Sequence, residues 1–207
     1  MTKLDRETVI RAALDLLNEV GVDGLTTRRL AERLKVQQPA LYWHFRNKRA
    51  LLDALAETML AEKHTRSLPR EGEDWRVFLK ENARSFRSAL LAYRDGALIH
   101  AGTRPTSPQF DIAEAQIRLL CEAGFNARGA AQALAAISHY TVGAVIEQQA
   151  AEADMAERQG IETPAAPPPP AFLRHVFEEL ESGGADATFD YGLDTIIAGL
   201  ERRLPSE

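Results

Sequence analysis

Cysteine is almost absent from this 207-residue chain: Cys121 stands alone. No intrachain disulfide and no cysteine-rich zinc site can form, which suits a reducing cytoplasm, the expected location. Aromatic residues are few, at 7%. No run of about 18 apolar residues is apparent, so no membrane span is expected. The opening MTKLDRETVI carries no apolar run beside a basic head, and no secretory signal is expected. Positive charge is in deficit, with 25 Lys+Arg against 30 Asp+Glu, which excludes a surface that is basic throughout. Catalytic signatures are missing as well. There is no HExxH pair, no GxSxG elbow, no GxxxxGKS/T loop and no carboxylate pair placed for acid–base work, so an enzyme is not expected. What remains is ordinary for a folded protein: 45% hydrophobic and 27% charged residues.

The charge is unevenly placed. Residues 1–64 hold 11 Lys+Arg against 9 Asp+Glu, whereas 65–207 hold 14 against 21. Within 25–49, seven cations (Arg28, Arg29, Arg33, Lys35, Arg46, Lys48 and Arg49) face only Glu32. A local cationic patch on an acidic body points to a polyanionic partner at one end.

Helical spacing runs through the chain. Val9, Ala13, Leu16, Leu17 and Val20 form one apolar stripe that Asp5 can cap and Gly21 can end. Thr26 or Thr27 can open a short second helix with Leu30, Ala31 and Leu34 inward. Pro39 fits the first turn of a third, from Gln38 to about His44. Asn47 can cap a fourth running to about His64. The polar stretch 67–74 reads as a hinge or linker, followed by helix from Trp75 to Ala92. Residues 93–108 are broken by Gly96, Gly102, Pro105 and Pro108. Helices are predicted over 110–123 and 127–151, with Gly124 and Asn126 between them. Residues 152–170, acidic and then Pro-rich, read as a mobile connection. Two last helices, about 171–182 and 187–203, flank Gly183 and Gly184. The fold class is all-α. A three-helix head of residues 1–47 joins, through a connecting helix in 48–66, a larger α-helical core of 67–207. So small a head buries little core alone, so its fourth helix must pack on the body.

A tight turn between the second and third helices makes a helix-turn-helix, whose third helix enters the major groove of DNA. Its outward side chains would be Gln38, Pro39, Ala40, Tyr42, Trp43 and His44. Gln38 offers a donor and an acceptor to one base; Pro39 and Ala40 can touch a thymine methyl; Arg28, beside Thr27 on the second helix, can reach a guanine. Tyr42 and the amides near Lys48 can hold phosphates. The alternative is that the rings are core and the charges a solvated face; Phe45 fits the core reading, Tyr42 and Trp43 the DNA reading.

The run LTTRRLAERLKVQQPALYWHFRNKRALLDAL at 25–55 resembles the head of the TetR family of transcriptional repressors, most specifically in LYWHFRNK at 41–48. YRDGALIHAGTRP at 93–105, CEAGF at 121–125 and ISHYTVGAVIEQQ at 137–149 are similar to the ligand-binding core of that family's tetracycline-responsive members. Lys35 stands where relatives often have Gly; a left-handed lysine there costs about 1 kcal/mol. Ala40 stands where Thr is frequent, and Ala131 where a larger aliphatic residue occurs.

The body carries polar residues that a plain helical bundle does not need: His64, Asn82, His100, Thr103, Arg104, Gln116, Ser138, His139 and Glu147. Spacing alone leaves each open to a structural explanation. The resemblance implies that they bind a tetracycline together with Mg²⁺. His100 would ligate the metal directly, and Thr103 and Glu147 would act through metal-bound water. His64, Asn82 and Gln116 would hydrogen-bond the drug's polar edge, with Phe86 and Pro105 against its rings. Ala131, Leu134, Leu173 and Phe177 would give apolar wall, some of it from a second subunit. His139 is read as either a ligand contact or a structural hydrogen bond.

The long helix 127–151 and the last helix carry Leu134, Ile137, Val142 and Val145, then Leu193, Ile196, Ile197 and Leu200, as either internal core or a homodimer face. A homodimer is expected, because pairing two heads matches a palindromic operator. The expectation is a tetracycline-inducible repressor of an efflux gene. In it, the drug with Mg²⁺ shifts the loop at 100–105, moves the fourth helix and respaces the heads. The alternatives are a repressor answering another small molecule, a metal-dependent hydrolase built on His100, His139 and Glu147, and a DNA-bending protein.

Overall fold

Polar caps and chain-breaking glycines divide the chain into nine described helices. The computed structural model describes residues 4–103, 110–159 and 168–204. The elements are α1 (Arg6–Gly24), α2 (Thr27–Leu34), α3 (Pro39–Tyr42), α4 (Lys48–Lys63), α5 (Trp75–Leu91), α6 (Gly96–Ala101), α7 (Phe110–Glu122), α8 (Ala127–Arg158) and α9 (Ala171–Glu201). No strand occurs among the described residues. Asp5, Thr26, Asn47, Asp74 and Asn126 each accept a hydrogen bond from a first-turn amide of the helix they precede, which satisfies an otherwise orphaned donor.

Two helices are broken internally by glycine at positive φ: α1 at Gly21 (φ 71°) and α9 at Gly184 (φ 70°). At Gly21 the need is double, because an added Cβ would lie 2.7 Å from Asp95 Oδ2. Lys35 does sit left-handed, at φ 54° and ψ 40°, and its amide closes α2 onto Ala31 and Glu32.

The head core joins Val9, Ala13, Leu17, Leu30, Leu41, Phe45, Leu51, Leu55 and Met59 from α1 to α4, together with Tyr93 and Ile99 from the body. The head therefore completes its core on the body, as its size requires. A second cluster unites Trp75, Phe78 and Leu79 of α5 with Leu120 of α7, Ala133 and Ile137 of α8, and Phe189, Leu193 and Ile197 of α9. Four ion pairs zip α5 to α9 in antiparallel order: Arg76–Glu201, Lys80–Asp194, Arg84–Asp190 and Arg87–Asp186.

Four sequence expectations change. The third helix is one turn, Pro39–Tyr42, rather than two. The segment 152–158 continues α8, where Arg158 pairs with Asp154 one turn earlier. The stretch 67–74 is pinned rather than loose: Arg66 donates to Glu73 at 2.5 Å and Glu81 at 2.8 Å, and the Arg70 amide donates to Glu73. Finally, α8 is long and apolar enough by length and composition to cross a membrane, contrary to expectation. In the fold it serves as the spine of the body, with Ala130, Ala133, Ile137, Thr141 and Val145 buried.

Candidate functional site: a reading helix and a polar cavity

Leu41 and Phe45 are buried and anchor the one-turn α3 on the head core. Their spacing turns Tyr42 and Trp43 outward, at 48% and 88% exposure. So large an exposed ring is costly in water without a partner. Gln38 and Pro39 are exposed, and Ala40 and His44 half-buried. Gln38 spends one amide hydrogen on Thr27 Oγ1 at 2.7 Å, which fixes α3 against α2. Arg28 is extended along α2 by a 3.0 Å contact with Glu32, which holds its guanidinium on the exposed side. Lys35 and Lys48 are exposed, with Lys48 at the Asn47-capped start of α4, where amides and helix dipole favour a phosphate. Exposed aromatic, amide and cationic side chains thus lie on α3 and on the helices that flank it in sequence.

A cavity of about 430 Å³ lies in the body, within the range of small-molecule sites. It brings together His64, Asn82, Phe86, His100, Gln116, Ala131, Leu134 and Ser138 from α4's end, α5, α6, α7 and α8. Ser67, Ile112, Ala113 and Ile117 also line it, and were not anticipated. Helical spacing on α7 points to Ile112 and Ala113, four and three residues before Gln116, with Ile117 four after Ala113. A larger groove of about 860 Å³, between the start of α8 and the end of α9, holds no imidazole or carboxylate. The smaller cavity carries the chemistry.

Phe86 stands between the two imidazoles, its ring centre 5.7 Å from His64 and 5.0 Å edge-on to His100. Asn82 donates to the Arg66 carbonyl at 2.8 Å, and Gln116 to the Ser67 carbonyl at 2.7 Å. The pinned 64–74 loop therefore orients two cavity amides. His64 Nδ1 pairs with Ser85 Oγ at 3.0 Å. Burial, and secondarily the neighbouring His100, pushes the His64 imidazole down to about 4. Burial lowers His100 as well. Both shifts favour the neutral ring, which carries one nitrogen lone pair; in His64 both nitrogens already face protein groups, Ser85 and, at 3.4 Å, the Asn82 amide.

The remaining predicted residues lie elsewhere. Thr103 is half-buried just after α6 and donates to the His100 carbonyl at 3.1 Å. Arg104 and Pro105 lie outside the described residues. His139 is exposed and does not line the cavity. Glu147 is exposed too; nine residues beyond Ser138, it faces roughly half a turn away and about 13 Å further along α8. Leu173 and Phe177 are exposed on α9, off the cavity. No group of three or more His, Cys, Asp or Glu side chains able to hold a metal occurs among the described residues.

A short path links cavity and head. α6 carries His100 near its C-terminus and Asp95 at its N-cap. Asp95 Oδ2 accepts from the Val22 amide at 2.8 Å, in the kink of α1. The Arg94 amide donates to Asn18 Oδ1, and its guanidinium to the Glu19 carbonyl, both at 3.0 Å.

Residues 9–55 match the family model of bacterial regulatory proteins of the tetR family, and 68–204 match the tetracyclin repressor-like C-terminal domain. The chain belongs to the TetR family. It is 66% identical over 204 residues to the tetracycline repressor protein class G of Vibrio anguillarum, covering 98% of this chain and 96% of that one. The crystal structure of TetR from Acinetobacter baumannii AYE superimposes with TM-score 0.84 at 64% identity, covering 99% of this chain and all of that one. TetR of class A, solved with 5a,6-anhydrotetracycline and magnesium, gives TM-score 0.76 at 58% identity, over 97% of this chain and 99% of that one. The hydrolase and DNA-bending alternatives fall with these matches: TetR-family regulators are repressors, not enzymes.

Proposed function

We propose that this TetR-family protein is a tetracycline-inducible repressor. A homodimer binds a palindromic operator through residues 1–47 of each subunit and silences a tetracycline efflux gene. A tetracycline with Mg²⁺, bound in the body at 67–207, releases it through the connecting segment 48–66. The observation that carries this reading is the cavity. A planar polar drug needs hydrogen-bonding groups along one edge and apolar wall along its faces. His64, Asn82 and Gln116 supply the first, and Phe86, Leu134 and Ala131 the second.

The donor set fits Mg²⁺ as a passenger of the drug rather than a resident ion. Neutral His100 supplies one nitrogen, and the absence of a three-ligand cluster among the described residues leaves other positions to drug oxygens and water. When bound, the cation draws together the drug's oxygens and His100. Thr103 would contact it through water, with a hydroxyl oxygen that can still accept. Glu147 is exposed and does not line this cavity, so His100 and Thr103 are the residues here that would hold the cation.

Exposed apolar side chains support the dimer. Phe172, Leu180 and Tyr191 of α9 are 76%, 57% and 78% exposed. Of the eight residues read as interface or core, Ile137, Val145, Leu193 and Ile197 are buried within one subunit. Leu134, Val142, Ile196 and Leu200 are half-buried and remain candidates for the shared face.

In the proposed cycle, drug contacts at His100 displace α6. Because Asp95 and Arg94 hold α1, the head follows. A drug can shift this equilibrium only by its difference in affinity for the two head positions. The test is fluorescence anisotropy on a palindromic operator selected from a random DNA pool. Tight binding, weakened steeply by salt and abolished by tetracycline with Mg²⁺, is expected. Operator binding that ignores the drug would assign the cavity to a different inducer.

A further inference from the structure

One carboxylate joins three parts of the molecule that the proposed cycle must move together. Glu62 lies in the last turn of α4. Its Oε2 accepts a 2.9 Å hydrogen bond from the Tyr93 hydroxyl, in the turn between α5 and α6. Its Oε1 pairs by charge with the guanidinium of Arg11, on α1. The Glu62 side chain is 25% exposed and Tyr93 only 8%. Oε1 itself is fully covered and receives no well-aligned hydrogen bond among the described residues. Arg11 is the cation paired with it, with Lys63 a weaker attraction, so removing Arg11 leaves a covered carboxylate oxygen without its direct partner.

The position of this triad on α1 matters more than its strength. Asp95 and Arg94 grip α1 near Glu19 and Val22. Arg11 lies eight residues before Glu19, the grip that precedes the break at Gly21, about 12 Å along the helix. A rod held at one end can pivot; a rod held at two points this far apart cannot. A slip of 1 Å at Glu62 would tilt α1 by roughly 5° about the Glu19 grip, from the same helical rise. Both grips end on the 93–95 turn that leads into α6, the helix bearing His100.

We infer that Glu62 is a positioning residue for operator binding: through Arg11 and Tyr93 it stops α1 from pivoting on the 93–95 turn, so the state of the cavity dictates the orientation of the head. This rests on the repressor reading above. Without the clasp, the head keeps its fold but no longer answers fully to the drug.

The experiment uses the full chain as wild type, Glu62→Gln, Arg11→Gln, the double variant and Tyr93→Phe. Operator affinity is measured with and without tetracycline plus Mg²⁺, and drug affinity is measured without DNA. Glu62→Gln is expected to cut the drug-induced fold-change in operator affinity by about tenfold, a loss equivalent to about 1.4 kcal/mol of coupling. Drug affinity should stay within twofold, and the double variant should lose no more than Glu62→Gln does. Tyr93→Phe should give a smaller loss. A wild-type fold-change in Glu62→Gln overturns the inference. So does an equal fall in operator and drug affinity accompanied by a lower Tm, the mark of a merely structural residue. Hydrogen exchange reads the clasp with neither DNA nor drug. Residues 6–20 should exchange faster in Glu62→Gln while 127–150 do not change, and unaltered exchange at 6–20 overturns the clasp. A wild type that binds operator but ignores tetracycline fails the functional reading instead, and leaves the exchange result to judge the clasp.

Discussion

Acidification should destabilise this protein through one ring. In the unfolded chain His64 titrates near 6.5; in the fold its burial holds it down to about 4. The folded value is the lower one, so the contribution is complete above pH 6.5 and is lost as pH falls towards 4. Between pH 7.5 and 4.5 the linkage relation gives a ceiling of about 2.5 kcal/mol. Partial solvent access to the ring reduces this to about 1–2 kcal/mol. The comparison is wild type against His64→Gln, unfolded by urea at pH 7.5 and 4.5, with EDTA present and subunit concentration fixed. Carboxylates and the other histidines titrate in both proteins and cancel to first order. Wild type should lose about 1–2 kcal/mol more than the variant. Equal losses would refute the claim that burial holds the ring neutral.

Four further outcomes are expected. Arg28→Ala should cost about 1–3 kcal/mol of operator affinity and relax preference at one base pair; a selection experiment that finds uniform weakening at all positions speaks against base reading. His100→Ala should bind operator as wild type does but need far more drug for release, and a fully inducible variant removes His100 from the metal. Lys35→Gly should raise unfolding stability by about 1 kcal/mol by relieving the left-handed backbone, and no gain in urea would contradict the strain. Gly96→Ala places a Cβ 2.2 Å from the Leu90 carbonyl oxygen and should cost about 3 kcal/mol or more; a variant that melts like wild type would show that the α5–α6 corner has room.

Local chemistry was legible in the sequence, and long-range docking was not. Asp5, Asn47 and Asn126 announce their helices because a cap needs only its own first turn. Phe45 follows Leu41 by four residues and is buried with it, whereas Tyr42 and Trp43 are exposed, in line with the division read from the sequence. The left-handed Lys35 stood out against a family pattern. By contrast, Asp95 meets Val22 across 73 residues, and Tyr93 meets Glu62 across 31, so no window of sequence reveals either. The polar composition of 67–74 suggested a hinge or linker, and the pinning by Arg66 through Glu73 and through Glu81 on the next helix is not visible in composition. Glu147 and His139 joined the ligand set by resemblance, but the 3.6-residue turn of α8 carries them off the face that Leu134 and Ser138 present to the cavity.

Coupling between cavity and head is reciprocal if it exists at all. The most direct measurement is the affinity of tetracycline with Mg²⁺ for the free protein and for the same protein saturated with its operator. If drug lowers operator affinity about 1000-fold, a coupling of about 4 kcal/mol, then operator must lower drug affinity by the same factor. Matching factors are the result this account predicts. Equal drug affinity for the free and DNA-bound protein would contradict it.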